Sequence, residues 1–227
     1  MSKRVRWYYV NIPIETAVFF DKLHSARFKE DSEEGFITLN ESSSVRAFRF
    51  FIKKSVRITS VDSEGNQSFS DISTLKNVDF TCTIVEGKLF VRVENPNHSL
   101  KDLFNTFEKI SGIGFYVKAL SVKFGAVIDL LPTNYHKNIT SIKVSNVVVS
   151  PSTIAKVELS SIDNIDIDKV DMLSGRKYDF ENATLDLSIH GKKSKLELNK
   201  SGLVKLSGAL EEELLHMIER YLIHSAF

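Results

Sequence analysis

The chain has 227 residues, 42% apolar and 26% charged, with 16 Phe, 6 Tyr and 1 Trp, so it holds enough apolar side chains for a sizeable core and does not read as disordered. A net charge of +1 supplies no long-range field to gather nucleic acid or anionic membrane, so a charge-driven function must lie in a local arrangement. The single cysteine, Cys82, excludes an internal disulfide and cysteine-rich zinc sites.

Residues 3–11 hold aromatic and β-branched side chains at strand density. Pro13 opens a short helix predicted over 14–28, with Ala17, Phe20 and Leu23 at helical spacing. A charged loop over 29–34 leads to a short strand at 35–39. Residues 45–61 form the longest strand-like run, closed by the turn Asp62-Ser63-Glu64-Gly65-Asn66. Strands at 78–85 and 89–93 make a hairpin around Glu86-Gly87-Lys88. Asn95-Pro96-Asn97-His98 breaks the sheet. Ser99 is expected to cap a helix over 100–110, with Asp102 in its first turn, Gly112 past its end, and Leu103, Phe104, Phe107 and Ile110 on one face.

A strand pair is expected through 115–131. Leu131-Pro132 to Asn138 is the best candidate boundary, giving an N-terminal region 1–132 and a C-terminal region 133–227, or one continuous domain. Further strands are predicted at 139–150, 154–160, 183–190, 194–199 and 203–207. The chain closes on an amphipathic helix over 210–223, where Leu210, Leu214, Ile218 and Leu222 repeat every four residues and Glu211, Glu212 and Glu219 lie off that line. The expected fold is α+β: antiparallel sheets with helices packed on one face, the strand–hairpin–strand–helix order occurring twice, over 78–110 and, with an extra strand, over 183–223. Leu103, Phe104, Phe107, Leu214 and Ile218 are expected to be buried.

Motifs that carry chemistry are sparse. Gly112-Ile113-Gly114 ends a helix, whereas a dinucleotide fingerprint needs its glycines before one. Neither a P-loop nor a Gly-x-Ser-x-Gly elbow occurs. The histidines (His24, His98, His136, His190, His216, His224) stand in no metal-binding spacing, and Glu212, His216 and Glu219 share the face of one helix where a di-iron site needs paired helices. Cys82 sits in a strand and reads as a buried small apolar side chain, the alternative being a catalytic thiol. The acidic run from Asp163 to Asp171 lacks the Gly and distal Glu of a calcium loop; its alternating Ile and Asp fit a strand edge. Asp79 with Glu86 and Lys88 has the residue types of a Mg²⁺-dependent nuclease, yet Gly87 places the Glu-x-Lys at a hairpin tip.

The most distinctive cluster runs from Arg46 to Arg57, with basic residues, no acids and interleaved aromatics. Basic grooves with stacking aromatics bind single-stranded nucleic acid, which makes Arg46, Arg49, Phe51, Lys53, Lys54 and Arg57 candidate binding residues. The competing reading is a strand with Phe inward and cations guarding an edge. Lys192, Lys193 and Lys195 make a second basic tip beside His190.

The segments Arg4-Val5-Arg6-Trp7-Tyr8-Tyr9-Val10 and Gly87-Lys88-Leu89-Phe90-Val91-Arg92-Val93-Glu94-Asn95 resemble a loose group of uncharacterised bacterial proteins, some carried with phage-defence or toxin-type loci. The resemblance covers about the first 130 residues and implies a bacterial or phage-borne setting, with no catalytic residue to transfer.

The expected function is therefore a non-catalytic binding or adaptor protein, an accessory component of such a system. It would have a protein partner or self-association, and no cofactor, metal or membrane. A nucleic-acid-binding module and a metal-dependent nuclease stand as alternatives. The absence of an apolar leader at the N-terminus, or of any long uncharged apolar run, predicts a cytoplasmic protein, in which Asn97-His98-Ser99 and Asn138-Ile139-Thr140 would meet no glycosylating machinery.

Overall fold

A computed structural model of the chain describes residues 2–42, 45–96 and 99–226. Asn97 and His98, part of the predicted break, lie outside the described residues. The expected α+β balance is corrected: the chain is mostly antiparallel sheet, 51% strand against 20% helix. Among the described residues, eleven strands and four α-helices account for it. The order expected over 78–110 appears as a two-stranded hairpin followed by a helix, and that over 183–223 as a three-stranded meander followed by the last helix, within a chain that is mainly sheet. The chain divides into two compact units, Val10–Val117 and the residues up to Tyr9 together with those from Lys118 onward.

The unit Val10–Val117 contains α1 (Thr16–Ser25), β2 (Glu34–Glu41), β3 (Val45–Val61), β4 (Gln67–Val85), β5 (Lys88–Glu94) and α2 (Lys101–Ser111), the four strands lying in that order. Alternation decides its core. Phe48 and Phe50 share one face of β3 and are buried; register sets Phe36 opposite Phe50 and Phe80 opposite Phe48. Phe48 stacks on Phe80 at 5.5 Å and on Phe20 at 6.1 Å, and Phe107 meets both Phe19 and Phe80 edge-on at 5.3 and 5.4 Å. Leu103 and Phe107 of α2 are buried; Phe104, expected beside them, is only half-buried. Ser99 does not close the helix as a side-chain cap: Leu100 is the capping residue, and the Ser99 hydroxyl accepts from the Lys101 amide at 3.3 Å.

β1 (Lys3–Asn11) begins in the other unit, where Lys3 to Arg6 pair with Leu206 to Leu203. That unit also holds α3 (Phe124–Leu130), β7 (His136–Ser150), β8 (Thr153–Ser160), β9 (Asp179–Ile189), β10 (Lys192–Asn199), β11 (Leu203–Gly208) and α4 (Glu211–His224), with strand order β1-β11-β10-β9-β7-β8. A short strand, β6 (Tyr116–Ala119), precedes α3. Leu214, Leu215, Ile218 and Leu222 of α4 are buried along with Trp7, Leu196, Leu198 and Leu206. The start of α4 is satisfied from afar: the buried Ser194 hydroxyl on β10 accepts from the Leu210 amide at 2.7 Å. The strand pair expected through 115–131 is instead β6 and a helix, because the run Phe124-Gly125-Ala126-Val127-Ile128 is too short for periodicity to separate the two states. The acidic run is not a strand edge but a loop with a single 3-10 turn at Ile167–Lys169, held by the Lys169 amide on the Asp166 carbonyl and the buried Ile165 beneath.

Candidate functional site

β3 and β4 are far longer than their neighbours. β2 pairs with β3 only over Arg46–Ile52, and β5 with β4 only over Asp79–Val85, yet β3 and β4 stay in unbroken antiparallel register from Val45↔Thr83 to Val61↔Gln67. From Ser55 to Asn77 every residue is exposed. The outer hairpin is therefore a two-stranded arm with solvent on both faces and unpaired backbone along both edges. A two-stranded ribbon is at best marginally stable on its own.

Local chemistry holds the arm together. Asp62 locks the turn: its Oδ1 accepts from the Glu64 and Asn66 amides at 2.9 and 2.8 Å, and its Oδ2 accepts from Asn66 Nδ2 at 3.0 Å. These bonds, led by the Asn66 side chain, hold its carboxyl below the usual carboxylate range. Arg57 and Asp71 stand directly opposite and close a bidentate pair at 3.0 and 3.2 Å, and the Ser60 and Ser68 hydroxyls meet at 2.6 Å.

Residues directly opposite share a face. Val56, Ile58 and Ile72 lie together on one, among Ser60, Ser68, Ser70 and Thr74; Phe69, Val61 and Leu75 lie on the other around the Arg57–Asp71 pair. These are large apolar side chains in water: Phe69 is 64% exposed, Val61 61% and Val56 53%. An apolar arm of this kind marks an interaction site or an aggregation hazard. Only the β3 half was legible in the sequence. The other strand, with its run Gln67-Ser68-Phe69-Ser70-Asp71, lacks a strand's apolar alternation and is extended because β3 templates it.

Of the candidate basic residues, Arg57 lies on the arm itself, paired with Asp71, and the others lie at its root, each engaged. The Arg46 guanidinium packs over the Phe20 ring at 4.1 Å, and its Nε lies 3.0 Å from Glu41 without the angle of a hydrogen bond. Arg49 forms a bidentate pair with Asp79; Lys54 donates to Asp102 at 3.0 Å; Lys53 donates to the Glu30 carbonyl. Phe51 is half-buried, stacked on Phe28 at 4.9 Å. The cations therefore face carboxylates or a carbonyl of their own chain.

The residues of the nuclease alternative are not brought together. Glu86 and Gly87 are the two turn residues between β4 and β5, while Asp79 pairs with Glu94 at the opposite end of that ladder. Cys82 is buried beside Arg46, and burial pushes its thiol pKa up, which disfavours a thiolate nucleophile. In α4, Glu219 accepts from Trp7 Nε1 at 3.1 Å and Glu212 from Lys3 at 3.4 Å, so neither converges with His216. Among the described residues there is no group of three or more His, Cys, Asp or Glu placed to hold a metal ion, and no helix long and apolar enough to cross a membrane. Lys192, Lys193 and Lys195 flank an exposed turn at His190-Gly191. A groove of about 630 Å³, the roomier of the cavities described, is lined by Ile128, Ile139, Tyr178 and the stacked Phe124 and Phe180, with Ser121, Lys123, Asp129, Asp168 and Lys200 among its polar residues. No family model matches the chain, and no curated protein matches it.

Proposed function

We propose that the chain is a non-catalytic binding protein of the cytoplasm whose docking element is the arm of β3 and β4. The observation that carries this reading is the arm itself: Val56, Ile58, Val61, Phe69, Ile72 and Leu75 are held out in water on a ribbon with open backbone edges. Main-chain edges supply affinity in strand addition, and alternate side chains supply selectivity. A protein partner fits better than nucleic acid, because Arg49, Lys53, Lys54 and Arg57 are already matched within the chain and the arm's tip carries Asp62 and Glu64. The resemblance to bacterial proteins carried with phage-defence or toxin-type loci makes an accessory role in such a system part of the same proposal.

The test swaps residues 55–73 for an Asn-Gly turn, which joins Lys54 to its partner Thr74 and leaves the rest of the chain intact. Tagged full-length and trimmed chains are recovered from the native host and their co-purifying proteins compared. A set that depends on the arm supports the reading; an identical set from both chains overturns it. A raised 260/280 nm absorbance ratio that survives nuclease-free purification would instead favour the nucleic-acid alternative.

A further inference from the structure

The arm is charged asymmetrically. Its root carries Lys53, Lys54 and Lys76; its tip carries Asp62 and Glu64; between them the only charges, Arg57 and Asp71, neutralise each other. Counted along the ladder, Lys54 lies four positions and Lys76, opposite Ile52, six positions rootward of the Ile58–Ser70 pair, while Asp62 and Glu64 lie in the turn beyond the Val61–Gln67 pair on the other side of it. Ile58 and Ser70 are themselves directly opposite in the ladder. The arm thus has a charge-antisymmetric midpoint, and that midpoint is flanked by the apolar face of Val56, Ile58 and Ile72.

We infer that the partner of the arm is the arm of a second copy of this chain, laid antiparallel about a two-fold axis at the Ile58–Ser70 pair. This rests on the reading of the arm as a docking element and names its occupant. A two-fold contact must be self-complementary, because each residue meets its counterpart's opposite end. Antiparallel arms meet that condition: Glu64 at the tip of each lies toward Lys76 at the root of the other, and the contact occurs twice, while Lys53, Lys54 and Asp62 keep their partners within the chain. The apolar faces of Val56, Ile58 and Ile72 meet at the axis, which removes these three side chains from water. The parallel arrangement sets tip against tip and root against root, and like charges oppose it. A polyanion would meet the carboxylates of the tip. Lys76, which makes no ion pair among the described residues, is the root cation best placed to receive a partner's acid.

Sedimentation velocity of the purified full-length chain over a concentration series reads the association directly. The wild type is expected to be a dimer. Glu64→Lys and Lys76→Glu, both exposed and outside the turn-locking role of Asp62, are each expected to weaken the dimer by about tenfold, twice-repeated surface charge contacts being individually weak. An equimolar mixture of the two is expected to recover dimer as a heterodimer, since each arm then carries what the other needs. Ile58→Asn should abolish association while the melting transition of the remaining sheet stays where it is. A wild type that is monomeric at every concentration overturns the inference, as does a dimer untouched by Ile58→Asn or a charge-reversed pair that fails to recover association on mixing. Those outcomes leave the arm-dependent capture of other host proteins as a separate readout, so the docking role and the identity of its occupant fail separately.

Discussion

Arg49 and Asp79 stand directly opposite one another on β3 and β4 and close a bidentate ion pair, with Nε 2.6 Å from Oδ1 and Nη2 2.7 Å from Oδ2. The pair bears on two readings at once: it engages a cation that a phosphate would need and both oxygens of a carboxylate that a Mg²⁺ ion would need. The side chains are 39% and 32% exposed, so water screens the contact. A double-mutant cycle with Arg49→Gln and Asp79→Asn should give a coupling of about 1 kcal/mol or less, shrinking in high salt. Chemical denaturation of the four proteins at two salt concentrations measures it.

Two hairpins turn through residues that fit the turn poorly. Glu86 and Gly87 have φ of 50° and 75°, and His190 and Gly191 have φ of 47° and 77°; both central residues positive is the requirement of a type I′ turn. Glycine meets it without strain, whereas Glu and His pay in crowding against Cβ. Glu86→Asn and His190→Asn should therefore each raise stability, by roughly 0.5 kcal/mol, because Asn tolerates the left-handed region. A lower denaturation midpoint in either variant would show that the side chain it replaced makes a contact worth more than the strain.

Where local pattern decides structure, the sequence was readable: Leu214, Ile218 and Leu222 announce the buried face of α4, and Phe48 and Phe50 that of β3. Where a long-range partner decides, it was not. Gln67 to Asn77 has the composition of a loop and becomes strand because β3 lies beside it in register, so the arm, which is the candidate site, was only half visible. The mainly-sheet balance was hidden for the same reason. The cations from Arg46 to Arg57 were legible as a cluster, but their counter-ions Asp79, Asp102 and Asp71 come from another strand and a helix, which no local pattern connects to them.

The Tyr135 ring is buried while its hydroxyl donates to Glu213, an exposed residue, at 2.6 Å. Burial first, and the Glu213 carboxylate second, push the phenol pKa up to about 12. A folded-state pKa above the unfolded value near ~10 means that the folded state holds the proton more tightly. The stabilisation is therefore complete below pH ~10 and is lost as pH rises from there through about 12. Tyr135→Phe should show a shallower fall in stability across that alkaline window than the wild type. Parallel curves for the two proteins would mean that Tyr135 titrates normally.

Phe107 and Leu214 are wholly buried, one in each unit. Phe107 contacts Phe19, Phe36 and Phe80, so truncation removes ring contacts from several sides of one core. Phe107→Ala should cost about 3–5 kcal/mol and Leu214→Ala about 2–5 kcal/mol. Thermal melts of both variants check this, and an unchanged melt in either would show that the site collapses without a cavity.

The arm is the one large element whose removal should leave the fold intact. Core burial on β3 ends at Phe50 and on β4 begins at Phe80, and the residues between Ser55 and Asn77 are all exposed, so their side chains contribute little apolar burial to the unit that carries them. Replacing 55–73 by Asn-Gly closes the hairpin at the Lys54↔Thr74 pair, where the Thr74 hydroxyl already donates to the Lys54 carbonyl at 3.2 Å. The shorter loop also lowers the entropy cost of bringing the two strands together, by only a few tenths of a kcal/mol because that cost grows logarithmically with length. The trimmed monomer should therefore match the full-length chain within about 0.5 kcal/mol, the range of surface changes that break no buried contact. At concentrations where the full-length chain self-associates, its melting temperature should rise with concentration, since association favours the folded state by mass action. That dependence should vanish in the trimmed chain. Calorimetry of both proteins at low and high concentration separates the two effects: a trimmed chain that is several kcal/mol less stable at low concentration would show that the arm is part of the fold rather than an appendage to it.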